Sequence, residues 1–132
     1  MLTPFKFRKI YRASAWYDLT ATAIFATPWT FLLLIDGIIW LADTTGLPGK
    51  MIEPDIFHIF FANLLGSVVI IWSLVRLKLD LTILARYDAV ARFLFSAWMI
   101  YALLNGASYF ILLMLVPEII WGILQSLPVK DK

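Results

Sequence analysis

Cysteine is absent from this chain, and histidine occurs once, as His58. The first absence excludes disulfides, thiolate metal sites, iron–sulfur clusters, cysteine lipidation and thiol redox chemistry by the chain itself. The second argues against bis-histidine haem ligation within one chain and against a histidine-rich di-iron centre. Charge is scarce as well: only 15% of residues are Asp, Glu, Lys or Arg, where ordinary soluble domains carry about 25%. Apolar side chains fill the space instead. They make up 62% of 132 positions, and the mean hydropathy is +0.87. A soluble domain this short leaves much of its surface in water and has nowhere to hide so much apolar area. Lipid is therefore the expected solvent, and one membrane domain, 1–132, the expected organisation.

Residues 1–14 mix Leu2, Phe5, Phe7, Ile10 and Tyr11 with Lys6, Arg8, Lys9 and Arg12. That is the composition of a short helix lying on an anionic membrane face. A first span is expected over 15–41, uncharged through 19–35 and kinked at Pro28. Its core is longer than that of a signal peptide, and no small-x-small cleavage site follows, so it reads as a retained span. Gly46, Pro48, Gly49 and Pro54 make 42–55 an outer loop. The second span, 56–75, is twenty residues without a formal charge, the length a ~30 Å hydrocarbon layer requires. The third covers 83–104, Asn105–Gly106 forms a turn, and the fourth covers 107–127 with Pro117 and Glu118 inside. The expected fold is all-α, a four-helix transmembrane bundle.

Its orientation follows from the basic residues. Ten of the eleven Lys and Arg lie in the N-terminus, in 76–92 and at Lys130 and Lys132. Only Lys50 falls in the loop 42–55, beside Asp43, Glu53 and Asp55. This bias predicts an inner (cytoplasmic) membrane protein with both termini cytoplasmic, and Trp16, Trp72 and Trp121 fit an aromatic belt at the inner interface. The basic residues are topology signals, so no nucleic-acid partner is expected.

A tandem duplication of a helical hairpin is one reading of the internal similarities. A shift of 70 positions lays Tyr17-Asp18 on Tyr87-Asp88 and Phe25 on Phe95, and a shift of 49 lays Ile70-Ile71-Trp72 on Ile119-Ile120-Trp121. Parallel repeats of this kind occur in transporters. Chance is the other reading, because apolar spans share a small alphabet.

A charged side chain at mid-bilayer costs on the order of 3 kcal/mol on insertion scales, so such residues are generally buried and paired. Asp18, Asp36, His58, Asp88, Arg92 and Glu118 are the candidates. Arg92 precedes Asn105 by 13 residues and Glu118 follows Gly106 by 12. An antiparallel hairpin thus brings both to one depth, roughly 18–20 Å below the turn. Asp88, four residues before Arg92, shares its helix face. An Asp88–Arg92–Glu118 cluster is expected, either as an ion pair locking spans three and four or as a ligand or proton site. Asp18 is either a shallow interfacial acid answering Arg12 or Arg76, or one wall of a polar cavity shared by Tyr17, Tyr87 and Asp88. Asn63 and Ser67, beside Ala62 and Gly66, suit close helix packing with interhelical hydrogen bonds. Glu53, Asp55 and His58 offer metal-compatible donors, but at a spacing that matches no recognisable site, so no metal or cofactor is expected.

With four short spans, inward termini and a buried Arg–acid cluster, the chain resembles the bacterial DoxX-type four-helix membrane proteins in overall plan. The resemblance implies the fold alone, since no motif of that family lies on Tyr17-Asp18 or Tyr87-Asp88, and the missing cysteines separate it from the redox link of some such proteins. In size and span number it is also similar to small multidrug exporters, with Asp18 in place of their first-span glutamate and at a shallower depth. No nucleophile–base pair or phosphate loop stands out, which weighs against an enzyme. Three functions stay open. One is an accessory or binding protein holding a lipid-like or quinone-like molecule, or a larger membrane partner. The second is a proton-coupled exporter acting as a homodimer, and the third a membrane enzyme on a hydrophobic substrate.

Overall fold

The computed structural model describes residues 1–130; helices are the only extended elements among them, alongside turns, loops and two isolated β-bridges. Helix α1 runs Pro4–Thr22, α2 Pro28–Thr45, α3 Ile56–Leu79, α4 Thr82–Leu104 and α5 Leu112–Ser126, with short 3-10 turns at Ala23–Phe25 and Tyr109–Ile111. Three of these units are long and apolar enough to cross a membrane: α3, α4, and α5 with its leading turn. A fourth follows if α1 and α2, bent by 92° at their junction, count as one broken span.

Local sequence dictates the helix ends. Thr3 and Thr27 each stand before a proline and accept the amide of the third helical residue, Lys6 or Thr30, so a fixed φ and a side-chain cap start both helices. Asp55 and His58 form a reciprocal capping box at the start of α3: the Asp55 carboxylate accepts the His58 amide at 3.0 Å and His58 Nδ1 accepts the Asp55 amide at 3.3 Å. Gly46, at φ 66°, ends α2, and Asp80, at φ 55°, ends α3.

Pro28 does more than the expected kink. It forces Thr27 into extended backbone (φ −129°, ψ 150°), and the chain leaves α1 at nearly a right angle. No helix boundary falls at residue 14. Helix α1 runs unbroken from Pro4 to Thr22 with Phe7, Tyr11 and Ser14 buried. The side chains of Phe7 and Tyr11 close the bundle end against Ala85, Leu2 and Val129, which uses their apolar area inside the protein. The outer loop is shorter than expected, since α2 continues through Thr45. The second span is longer, with α3 reaching Leu79.

Helix α1 packs antiparallel along α3, α4 along α5, and α1 also touches α5. Consecutive α3 and α4 have no packed seam of this kind. Each end of the molecule is stitched by backbone pairing. Leu2 bonds Pro128 and Lys130 at one end, placing residues 1–3 beside residues 128–130. At the other end Lys50 bonds Gly106 and Ser108, so loop 46–55 is tied to the α4–α5 turn.

The distribution of side chains is inverted relative to a soluble protein. Leu33, Phe61, Val68, Trp98, Leu104 and Leu113 are 64–81% exposed, whereas Ser14, Asp18, Ser73, Arg76, Asp88, Arg92 and Gln125 are buried. Apolar exterior around a polar interior fits hydrocarbon as solvent.

At the terminal end, Asp80 pairs with Arg8 and, at 3.6 Å, with Arg12. The bonded Arg8 guanidinium holds the Asp80 carboxyl below the usual carboxylate range. A depressed value means stability that is present above the unfolded carboxylate value and lost as pH falls through the folded one. Asp80→Asn keeps a residue suited to the left-handed backbone and removes the charge. We expect it to lower stability at pH 7 by about 0.5–1 kcal/mol, with wild type and variant converging in acid unfolding curves once pH falls through the depressed folded-state value. Parallel curves at all pH values would show the pair to be inert.

Candidate functional site

The buried ions of four helices meet at one point. Asp18 comes from α1, Arg76 from α3, Asp88 and Arg92 from α4, and Glu118 from α5. Arg92 sends Nη1 to Glu118 at 3.0 Å, Nε to Asp88 Oδ2 at 3.0 Å and Nη2 to Asp18 Oδ2 at 2.5 Å. Arg76, fully buried, sends Nη1 to Asp88 Oδ2 at 2.6 Å and Nη2 to Asp18. Two guanidinium groups and two aspartates thus form a closed ring, with each aspartate bridging both arginines. Planar guanidinium forks suit this, because they hold two acceptors at once in fixed geometry.

Neutral groups complete the shell. The indole of Trp72 donates to Asp88 Oδ1 at 2.8 Å. Ser14 and Ser73 hydroxyls each receive an Arg76 N–H at 3.3 Å, and Gln125 donates to Ser14 at 2.8 Å. Tyr11 donates to the Arg76 carbonyl at 2.7 Å, while Arg86 donates to the carbonyls of Gln125 at 2.7 Å and Leu127 at 2.9 Å. These bonds satisfy the end of α5 and fix the depth of the ring.

The Asp88–Arg92–Glu118 cluster expected from the hairpin count is present. It is larger than the sequence suggested, because Arg76 belongs to it. Arg76 closes an uncharged run and resembled a topology signal. Its separation from Asp88 by a two-residue elbow, Asp80–Leu81, could have revealed the match in depth. Asp18 does answer Arg76, one of the partners expected for it, and Arg92 as well; its side chain is 9% exposed and lies between the two arginines. Tyr87 is a correction in the other direction. At 65% exposure it faces away from the cluster, since Asp88 occupies the inward side of α4 and the neighbouring residue is turned by about 100°. Tyr17 stays near, its ring tilted 42° against that of Trp121 with centroids 6.1 Å apart. Asp36 is exposed on α2, outside the site.

Asn63 makes the expected interhelical bond, donating to the Phe25 carbonyl at 2.8 Å, which proline and the break left without a helical partner. Thr30 serves the Ile24 carbonyl in the same way at 2.7 Å. Gly66 lies against the backbone of Phe25 and Ala26. Ser67 is exposed and does not share this seam. Asp55 and His58 are occupied as a helix cap, and among the described residues no group of three potential ligands, Glu53 included, gathers to hold a metal.

Where α3 and α4 diverge, a cavity of about 570 Å³ opens beside the ring. Asp18, Asp88, Arg92 and Glu118 lie at its polar end. Its walls are apolar, among them Phe25, Val69, Phe95, Trp98 and Met114. Leu65, Val68 and Trp98 also belong to the exposed outer surface, so the mouth lies on the apolar exterior. A smaller cavity of about 150 Å³ lies on the far side of Thr22, Phe25, Met114, Asp18 and Glu118, which line both.

These features define an all-helical membrane protein, with three or four apolar helical spans and a buried ion ring beside a cavity that opens on its apolar surface. No protein-family model, curated protein or solved structure matches the chain.

Proposed function

We propose that this protein is a small binding protein of a cytoplasmic (inner) membrane that holds a hydrophobic molecule between α3 and α4. The observation that carries the reading is the 570 Å³ cavity, within the roughly 300–1,000 Å³ typical of ligand sites, with apolar walls and a few convergent polar groups. Four crossings with both termini inside accord with the pairing of Leu2 and Val129 at one end. Lys6, Arg8, Lys9, Arg12, Lys78 and Arg86 collect toward that end, against Lys50 alone at the other. The DoxX-like plan agrees with this arrangement. The tandem-hairpin reading draws support from Asp18 and Asp88, each bridging the same two arginines.

Ala91 lines the cavity from α4. Ala91→Trp adds an indole to that space and is expected to reduce ligand retention by about 100-fold, as overfilling removes the room for contact. Native mass spectrometry of wild type and variant, purified in the same mild detergent, measures it. Equal retention of hydrophobic molecules by both proteins would refute a cavity-bound ligand.

A proton-coupled exporter is the second reading, and one observation favours it: Asp18 and Glu118 stand in the wall shared by both cavities. It requires flux that Glu118→Gln abolishes, which a passive binding protein does not show.

A further inference from the structure

We propose that the cavity between α3 and α4 selects an amphiphilic cation, a hydrophobic molecule whose polar end is an ammonium or similar positive group. The inference rests on the binding-protein reading and specifies its ligand. Its basis is the balance of charge and hydrogen-bonding capacity in the ring. Arg76 and Arg92 face Asp18, Asp88 and Glu118, which leaves one carboxylate in formal excess. A single uncompensated negative charge in a low-dielectric interior attracts a positive partner strongly.

Much of the donor capacity is already committed. Nε, Nη1 and Nη2 of Arg92 are each bonded to a carboxylate. Both terminal nitrogens of Arg76 are likewise bonded. Its Nε has no partner among the described residues, but Arg76 is fully buried and does not line the cavity. An anionic head group arriving through the α3–α4 mouth therefore meets the Arg92 guanidinium, whose charge three carboxylates already offset and only two of whose five N–H groups are uncommitted. It also meets unused acceptors. Glu118 bonds Arg92 through Oε2 and Asp18 bonds both arginines through Oδ2, while Glu118 Oε1 and Asp18 Oδ1 accept nothing from the described residues. Both side chains line the cavity. Around the approach stand the rings of Phe25, Phe95 and Trp98, whose faces stabilise a cation and offer an anion nothing. Size, apolar walls, unused acceptors and aromatic faces point to one class of ligand.

Three probes with the same twelve-carbon chain separate charge from hydrophobicity: dodecylammonium, dodecanol and laurate. Each is measured for retention by the full chain in neutral detergent, with the Ala91→Trp protein subtracting what the micelle alone holds. The ammonium probe is expected to bind at least about tenfold more tightly than dodecanol, and laurate more weakly than either. Glu118→Gln is expected to lower the ratio of ammonium to dodecanol retention from at least about tenfold to about one. Should that variant fail to fold, the ranking of the three probes on the wild type still decides. Retention of dodecanol or laurate at least as tight as that of the ammonium overturns the cation inference and leaves the binding reading standing. Retention of none of the three above the Ala91→Trp baseline overturns both.

Discussion

Replacing Arg76 by methionine is expected to destabilise the folded protein by about 3–5 kcal/mol, the range seen when one partner of a buried ion pair is removed. The arginine touches Asp18, Asp88, Ser14 and Ser73, so its loss leaves two buried carboxylates facing each other with Arg92 as their only cation. Unfolding in mixed micelles of rising SDS fraction measures the effect. The source of the destabilisation is testable by adding Asp88→Asn to the same chain. If the loss comes from uncompensated charge, the double variant regains part of the stability. Arg76→Lys should fall between, since a point charge cannot fork across both aspartates. An Arg76→Met protein that unfolds at the wild-type SDS fraction would mean the ring contributes no stability.

The second large effect is expected at Gly66. A Cβ there would sit 2.7 Å from the Ala26 nitrogen and 2.7 Å from the Phe25 carbonyl carbon. Both are backbone atoms that no rotamer change can move. Gly66→Ala should therefore push the α1–α2 junction away from α3 and weaken the Asn63–Phe25 bond, lowering stability by about 1–3 kcal/mol. Gly37 provides the contrast. Nothing lies within 4 Å of a Cβ placed there, and Gly37→Ala in α2 is expected to stabilise by about 0.5–1 kcal/mol. The same SDS titration reads both. Should Gly66→Ala match wild type, the close approach of the broken helix to α3 would not be a determinant of the fold.

Much of the fold was legible because lipid imposes simple rules. Charge-free runs of membrane length gave α3, and the Asn105–Gly106 turn gave the α4–α5 hairpin. Counting from that turn brought Arg92 and Glu118 to the same depth, 3.0 Å apart in the structure. What escaped were features set by contacts between distant segments. Arg76 looked like a topology signal because nothing local distinguishes a flanking arginine from one drawn inward by Asp18, 58 residues earlier in the chain. The burial of Phe7 and Tyr11 escaped because basic residues dominate the composition of 1–14, although the two recur four residues apart on one helix face. Pro28 signalled a bend, but its size depended on Gly66, Asn63 and Thr30 accommodating the break. Tyr87 was misplaced by its pairing in sequence with Asp88, where helix rotation sends neighbours to different faces.

The two stitches and the short elbow have a joint consequence. At one end α3 and α4 are joined directly through Asp80 and Leu81, and at the other Lys50 ties the segment before α3 to Gly106 and Ser108 beyond α4. The slot between the helices is thus framed above and below, like a window in a wall. Its width is fixed while its depth toward lipid is open. Such an aperture discriminates guests by their cross-section and tolerates tails of any length that trail into the bilayer.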